Sequence, residues 1–141
     1  MRFWDASALV PLLITQALSE QVERIADADH SITTWWATSL ECRSAIARLE
    51  REGVRSEAIG KALAGLQTLE ESWTEIAPSN FVRSMAGRLL RTHPLRTGDA
   101  LQLAAAIAAA DGNPRGLPFV TFDDRLALAA SKEGFPIIGI A

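Results

Sequence analysis

Cysteine is almost absent from the sequence, which contains only Cys42. A single thiol excludes an internal disulfide and a cysteine-ligated zinc or iron–sulfur centre, and we expect it to be a small buried filler. Histidine is nearly as scarce: His30 and His93 lie far apart in sequence, and both are expected at the surface. The sequence also lacks a His-Glu-x-x-His run, a Gly-x-Ser-x-Gly elbow and a glycine-rich phosphate loop. Their absence argues against zincins, serine hydrolases and P-loop nucleotide triphosphatases.

Long hydrophobic runs are missing as well. The longest apolar stretch, residues 101–110, is interrupted by Gln102 and is too short to span a bilayer. Asp5 stands where a signal peptide would have its apolar region, so we expect a cytoplasmic protein without a membrane segment. The 141 residues, 48% of them hydrophobic and 22% charged, have the composition of an ordinary globular protein. That length predicts one domain over residues 1–141.

Short apolar runs alternate with longer helical patterns along the chain. Strands are predicted at 2–4, 31–33, 73–76, 119–122 and 136–140. Helical patterns run from Ser7 to about Ala28, from Thr34 or Thr38 to Gly53, from Ser56 through Leu69, from Ser79 to before Pro94, from Thr97 to about Ala110, and through Leu126 and Ala130 to Gly134. Ser7, Ser56, Ser79 and Thr97 are the expected N-caps, and Pro11 is expected in the first turn of its helix. This alternation predicts a three-layer α/β/α domain with a central parallel sheet.

Four acidic residues fall at matching ends of these elements. Asp5 and Asp123 directly follow predicted strands, Asp99 lies in the first turn of its helix, and Glu41 lies in the first or second turn of another. The carboxyl ends of parallel strands meet at one edge of a sheet, which is where such sheets carry their working sites. We therefore expect the four carboxylates to converge at this edge.

Converging carboxylates repel one another unless a cation lies among them. Ligation by oxygen alone suits Mg²⁺ or Mn²⁺ better than zinc, and such ions can activate water and neutralise charge on a phosphodiester. Taken singly, each acid is better explained as a helix cap, as a partner of the helix macrodipole or as a solvated surface residue. The convergence of all four favours a metal site.

The residues around the four acids resemble the motifs of PIN-domain nucleases. Residues 4–10, Trp-Asp-Ala-Ser-Ala-Leu-Val, are similar to the opening Asp-x-Ser-x-Leu/Val signature of that family. Residues 41–48 resemble its second motif, an acid followed by an arginine on a helix, and residues 95–106 resemble its third. Residues 119–126 resemble the fourth motif, Thr-x-Asp-x-x-Leu. The resemblance runs from residue 3 to the last predicted strand, and the compact length matches the VapC-type toxins of bacterial and archaeal toxin–antitoxin pairs.

This resemblance implies an Mg²⁺- or Mn²⁺-dependent endoribonuclease that cleaves RNA phosphodiester bonds. The residues implied as metal ligands and catalytic acids are Asp5, Glu41, Asp99 and Asp123. Ser7 is the implied hydroxyl near the site, Thr121 is a second candidate, and the Thr-x-Asp pattern favours Asp123 over Asp124. The resemblance also implies a small antitoxin protein as partner and a homodimer, which the apolar stripes of the helices between residues 38 and 69 favour independently.

Several other residues are candidates for contact with RNA. Arginine forms bidentate contacts with phosphate, and four arginines flank the acids: Arg43, Arg48, Arg96 and Arg125. Solvated helix faces or ion pairs with the acids explain these arginines equally well. The adjacent Trp35 and Trp36 could stack on bases, but such a pair more often has one ring in the core and one at an interface.

Two other functions remain open at this stage. A receiver-like phosphoacceptor signalling domain also gathers acids around Mg²⁺, but it requires an acid pair after its first strand and a lysine after a late strand. Here Asp5 stands alone, and neither Lys61 nor Lys132 follows a predicted strand. The second alternative is a catalytically silent scaffold that only binds RNA or a partner, and the presence of all four acids argues against it.

Overall fold

A five-stranded parallel sheet forms the centre of the computed structural model, which describes residues 1–139. The strands are β1 (Arg2–Trp4), β2 (Ile32–Trp35), β3 (Thr74–Ile76), β4 (Phe119–Thr121) and β5 (Ile137–Gly139), in the order β3-β2-β1-β4-β5. The chain therefore starts in the middle of the sheet and extends it first to one side and then to the other. As a result the carboxyl ends of β1 and β4 are neighbours.

Seven α-helices lie among the described residues and cover both faces of the sheet. They are α1 (Ala6–Leu13), α2 (Ser19–Ala28), α3 (Thr38–Arg51), α4 (Ser56–Ser72), α5 (Asn80–Thr92), α6 (Thr97–Ala110) and α7 (Asp124–Lys132). Successive strand residues point to opposite faces, so Phe3 and Phe119 pack with α5, α6 and α7, whereas Trp4 and Val120 pack with α1 to α4. The predicted three-layer α/β/α fold is confirmed. None of these helices has the length and apolar character needed to cross a membrane.

Close contact between the last two strands requires a glycine. Gly139 has a φ of +115°, and a Cβ atom on it would lie only 2.4 Å from the carbonyl oxygen of Thr121. No other residue fits this position without moving the backbone. Gly139 therefore allows β5 to pair with β4 as far as Thr121, two residues before Asp123.

The helical pattern predicted from Ser7 to Ala28 is two helices, because α1 ends at Leu13 and α2 starts at Ser19. The Ser19 hydroxyl donates to the carbonyl of Pro11 (2.7 Å) and accepts from the Gln16 amide (2.8 Å), which fixes the turn between them. Ser7 was expected to cap α1, but Asp5 is the N-cap, its side chain accepting from the amide of Ala8. The expected first-turn place of Pro11 was wrong too, since it is the sixth residue of this short helix.

The other predicted boundaries shift by only a few residues. Ser79 caps α5 as expected, accepting from the Val82 amide at 3.1 Å. Ser56 and Thr97 are instead the first helical residues, after the N-caps Arg55 and Arg96, which make no side-chain capping bond. Thr38, rather than Thr34, begins α3. The last predicted strand extended to Ile140, which lies outside the described residues.

Candidate active site

Asp5 lies at the centre of the carboxyl edge of the sheet, directly after β1, and is only 4% exposed. Its Oδ1 accepts from the Ser7 hydroxyl (2.6 Å) and the Ala8 amide (3.3 Å), and its Oδ2 accepts from the Thr121 hydroxyl (2.8 Å). Burial outweighs these bonds and raises the pKa of Asp5 from 3.8 to about 6, with a smaller contribution from the charge of Asp123. The folded chain therefore holds this carboxylate at an energetic cost.

Two hydroxyls connect Asp5 to the turn after β4. The Ser7 hydroxyl, which donates to Asp5, also accepts from the Phe122 amide at 2.9 Å. The Thr121 hydroxyl, which donates to the other oxygen of Asp5, accepts from the Asp123 amide at 3.1 Å. These contacts fix the position of Asp5 relative to Asp123. Both hydroxyls singled out in the sequence thus lie at the candidate site.

Asp123 is the N-cap of α7, with its Oδ1 accepting from the Leu126 amide at 2.8 Å. This is the capping role that the sequence left open, yet the carboxylate also lies near Asp5 and Asp99. Burial is the main cause of the raised pKa of Asp99, and repulsion from Asp123 is the next. Capping and participation in the acidic cluster are therefore compatible in one residue.

Glu41, in the first turn of α3, and Asp99, in the first turn of α6, complete the cluster. Burial is the main cause of the raised pKa of Glu41, and the charges of Asp5 and Asp99 add to it. Within residues 1–139, no three acidic, histidine or cysteine side chains are close enough to form a ready-made metal cage. Mg²⁺ and Mn²⁺ do not require one, because they keep several waters and bind through one or two carboxylates. The donor set therefore fits such an ion.

A PIN-domain family model matches residues 2–132 of this chain. The chain belongs to the PIN-domain family. Ribonuclease VapC45 of Mycobacterium tuberculosis (strain CDC 1551 / Oshkosh) is 31% identical to it over 135 residues, covering 94% of this chain and 90% of that protein. The resemblance to VapC-type PIN domains found in the sequence is confirmed.

Solved structures of low sequence identity share the fold of this PIN domain. The crystal structure of Mycobacterium tuberculosis VapC20, described as a Sarcin-Ricin loop cleaving toxin, matches with a TM-score of 0.66 and 18% identity over 96% of each chain. A toxin–antitoxin complex from Klebsiella pneumoniae matches with a TM-score of 0.63 and 14% identity, covering 99% of this chain and 97% of that one. At these identities the likeness concerns the fold alone.

Two of the four candidate arginines of this PIN domain lie beside the acids. Arg96 and Arg125 line a cleft together with Asp99, Asp123 and Asp124, and their charges oppose the raised pKa of Asp99. This places Asp124, which the sequence motif did not favour, on the same cleft. The cleft therefore offers both carboxylates and guanidinium groups to a ligand.

The remaining candidates for substrate contact lie elsewhere. Arg43 forms an ion pair with Glu70 of α4 at 2.8 Å, and Arg48 lies in the last turn of α3. Of the adjacent tryptophans, Trp35 is buried in the core whereas Trp36 is 52% exposed, so a single ring is accessible. Cys42 is completely buried, and burial raises the pKa of its thiol to about 12, which excludes a reactive thiolate near neutral pH.

Gln102 is the polar residue at this site that the sequence reasoning missed. It is 1% exposed, and its Nε2 donates to Glu41 Oε1 at 2.7 Å and to Thr38 Oγ1 at 2.8 Å. The available signal was its place in an otherwise apolar stretch, three residues after Asp99 and hence on the same face of the helix.

Proposed function

We propose that this protein is an Mg²⁺- or Mn²⁺-dependent endoribonuclease that acts in the cytoplasm as the toxin of a toxin–antitoxin pair. The observation that carries the proposal is the gathering of four carboxylates at one edge of the sheet, where burial raises the pKa of Asp5, Glu41 and Asp99. Keeping such groups charged is unfavourable without a cation. Membership of the PIN-domain family and a relative named as a ribonuclease support the same activity.

The chain's own side chains have separable tasks in this proposal. Asp5 and Asp99 would hold the divalent ion, and Glu41 and Asp123 would complete its site or position the water. The ion would supply an activated water and neutralise charge on the phosphodiester. The hydroxyls of Ser7 and Thr121 orient Asp5 through the hydrogen bonds described above. Arg96 and Arg125, which line the cleft beside these acids, bind the substrate phosphate.

The decisive experiment compares RNA cleavage by the purified protein with and without EDTA, and by Asp99→Asn. We expect EDTA to abolish cleavage and Asp99→Asn to lower its rate by roughly 10³-fold, because a metal ligand contributes several kcal/mol to transition-state stabilisation. In metal-free buffer the variant should melt at the same or a higher temperature, since one charge leaves a repulsive cluster. Asp27→Asn, on the exposed side of α2, is the matched control. Full cleavage by Asp99→Asn, or by the wild type in EDTA, would contradict the proposal.

The alternatives have less support. Lys61 lies within α4 and Lys132 at the end of α7, so neither follows a strand as a receiver-like phosphoacceptor domain requires. The same cleavage experiment distinguishes a catalytically silent scaffold from a ribonuclease, because the scaffold would bind RNA without forming any metal-dependent product.

The toxin role also implies an inhibitor, and the resemblance to VapC-type PIN domains implies a homodimer. Exposed apolar side chains on α3 and α4, among them Leu40 (61% exposed) and Leu63 (38%), support an interface there. Light scattering that gives the mass of a single chain would contradict the dimer.

For the inhibitor, we expect the product of the neighbouring gene to insert an arginine among the acids, so that Mg²⁺ competes with it. Equal affinity for the wild type and an Asp5→Asn, Asp99→Asn double variant would show that inhibition works elsewhere.

A further inference from the structure

A single buried amide connects the two helices that carry Glu41 and Asp99. Gln102 of α6 donates from Nε2 to both Glu41 Oε1 (2.7 Å) and Thr38 Oγ1 (2.8 Å), and both acceptors belong to α3. Asp99 lies one turn earlier on α6, on the same face as Gln102. The amide therefore links the helix of one acid directly to the carboxylate of another.

The rest of the amide is not explained by packing. Gln102 Oε1 is buried and accepts no hydrogen bond from the described residues 1–139. A buried acceptor without a donor lowers the stability of the fold, and an apolar side chain of similar shape would avoid that loss. What distinguishes glutamine from leucine or methionine here is thus the donation to Glu41 and Thr38.

This donation determines which oxygen of Glu41 remains available. Oε1 is held by Gln102, whereas Oε2 lies 3.9 Å from the position that a Cβ atom on Gly98 would take, in the first turn of α6. We propose that Gln102 is a positioning residue, which holds Glu41 so that Oε2 faces the neighbouring Asp99. The role rests on the proposed metal-dependent function and concerns the geometry of the carboxylate.

Gln102→Met tests the role, because methionine keeps the length of the side chain and removes both donors. Mn²⁺ affinity, measured by calorimetry, should fall by about tenfold or more, as is usual when a group that orients a metal ligand is lost. The kcat for RNA cleavage should fall while KM stays the same, and the melting temperature without metal should fall as well, because Glu41 Oε1 and Thr38 Oγ1 lose their donor. Gln67→Met, exposed on α4, is the matched control and should change none of these quantities.

A double-mutant cycle shows whether Gln102 acts through Glu41. In a Glu41→Gln background, Gln102→Met should produce no further loss of Mn²⁺ affinity, since the group it orients is already gone. A further tenfold loss in that background would overturn the proposal, as would a lower melting temperature with unchanged Mn²⁺ affinity. If Gln102→Met does not fold, Gln102→Asn keeps the amide but is too short to reach, and the same losses are expected.

The wild type separates this inference from the proposed function. A wild type that binds Mn²⁺ more tightly than Gln102→Met but cleaves no RNA overturns the ribonuclease and leaves the positioning role standing. A wild type that cleaves RNA in Mn²⁺, with Gln102→Met equal to it in both affinity and kcat, overturns the positioning role alone. A wild type that binds no Mn²⁺ overturns both.

Discussion

The two edges of the sheet carry acidic residues in opposite electrostatic settings. At the carboxyl edge, burial raises the pKa of Asp5 to about 6 and raises those of Glu41 and Asp99 as well. At the amino edge, Glu133 accepts from Arg88 and from His93, each at 2.7 Å, and these bonds hold its pKa below the ordinary value. His93 was expected at the surface, but it is only 7% exposed.

The difference separates stability from function. Glu133 forms an ion pair with Arg88 of α5 and a hydrogen bond with His93, which follows that helix, so its charge contributes to folding. Among the described residues, Asp5 contacts hydroxyls and a backbone amide but no cation, so its charge is unfavourable in the absence of a bound ion. A buried carboxylate whose pKa is raised for lack of a cation is typical of functional sites, whereas a carboxylate that is ion-paired within the chain is typical of structural ones.

The largest expected contrast comes from removing one acid at each edge. Asp99→Asn should lose roughly 10³-fold in cleavage rate and no stability, for the reasons given with the proposed function. Glu133→Ala should do the reverse, lowering the free energy of unfolding by about 1–3 kcal/mol, because Arg88 and the buried His93 lose their partner. Urea unfolding and RNA cleavage, measured on both variants, check this. A Glu133→Ala protein that is stable but inactive would break the comparison.

Stability should also depend on pH in opposite directions at the two edges. The pKa of Asp5 is about 6 in the folded chain against an ordinary 3.8, so the native state binds the proton more tightly. Metal-free stability should therefore fall by up to about 3 kcal/mol as pH rises through this window, and stay low above it. The pKa of Glu133 lies below its ordinary 4.5, so its contribution is present above that pH and is lost as pH falls through the folded pKa.

Unfolding of the wild type, Asp5→Asn and Glu133→Gln between pH 3 and 7 in EDTA isolates the two contributions. Asp5→Asn should gain stability relative to the wild type as pH rises towards about 6, whereas Glu133→Gln should lose it as pH rises through the acid range. Parallel curves for the two variants would contradict the assignment of opposite shifts.

A smaller effect is expected from the hydroxyl that orients Asp5. Ser7→Ala removes a donor to Asp5 and leaves the Phe122 amide without its acceptor. Mn²⁺ affinity should fall about tenfold and the free energy of unfolding by about 1–2 kcal/mol. Calorimetry and urea unfolding measure both, with Ser84→Ala on the exposed side of α5 as the control. Unchanged Mn²⁺ affinity would show that Asp5 does not need this hydroxyl.

The smallest expected effects concern the arginines. Arg125→Ala should raise KM for RNA several-fold, since Arg125 lines the cleft with Asp99 and Asp123. Arg43→Ala should raise it less, because Arg43 is paired with Glu70, and should change stability by about 1 kcal/mol at most. Steady-state kinetics on both variants, with the exposed Arg91→Ala as reference, checks the order. A larger increase in KM for Arg43→Ala than for Arg125→Ala would indicate that RNA binds along α3 and not in the cleft.

Local sequence patterns predicted much of the fold and identified the main acids of the candidate site. Alternating strand and helix periods predicted the parallel three-layer arrangement, and the ends of β1 and β4 placed Asp5 and Asp123 at one edge without further assumption. The position of each depends on neighbours within a few residues, which the sequence displays directly. The same local logic confirmed Ser79 as the cap of α5.

Contacts between distant residues were decided by the tertiary structure alone. The amide of Gln102 meets Glu41 at a sequence separation of 61 residues, Arg43 pairs with a glutamate of the next helix, and His93 meets Glu133 at a separation of 40 residues. Periodicity indicates that a helix has a buried face but does not say which side chain of another helix lies opposite it, because that depends on how the packed layers are aligned. The sequence by itself determined which acids reach the edge of the sheet, and the hydrogen bond from Gln102 of α6 to Glu41 of α3, helices on opposite faces of the sheet, determined how Glu41 is held there.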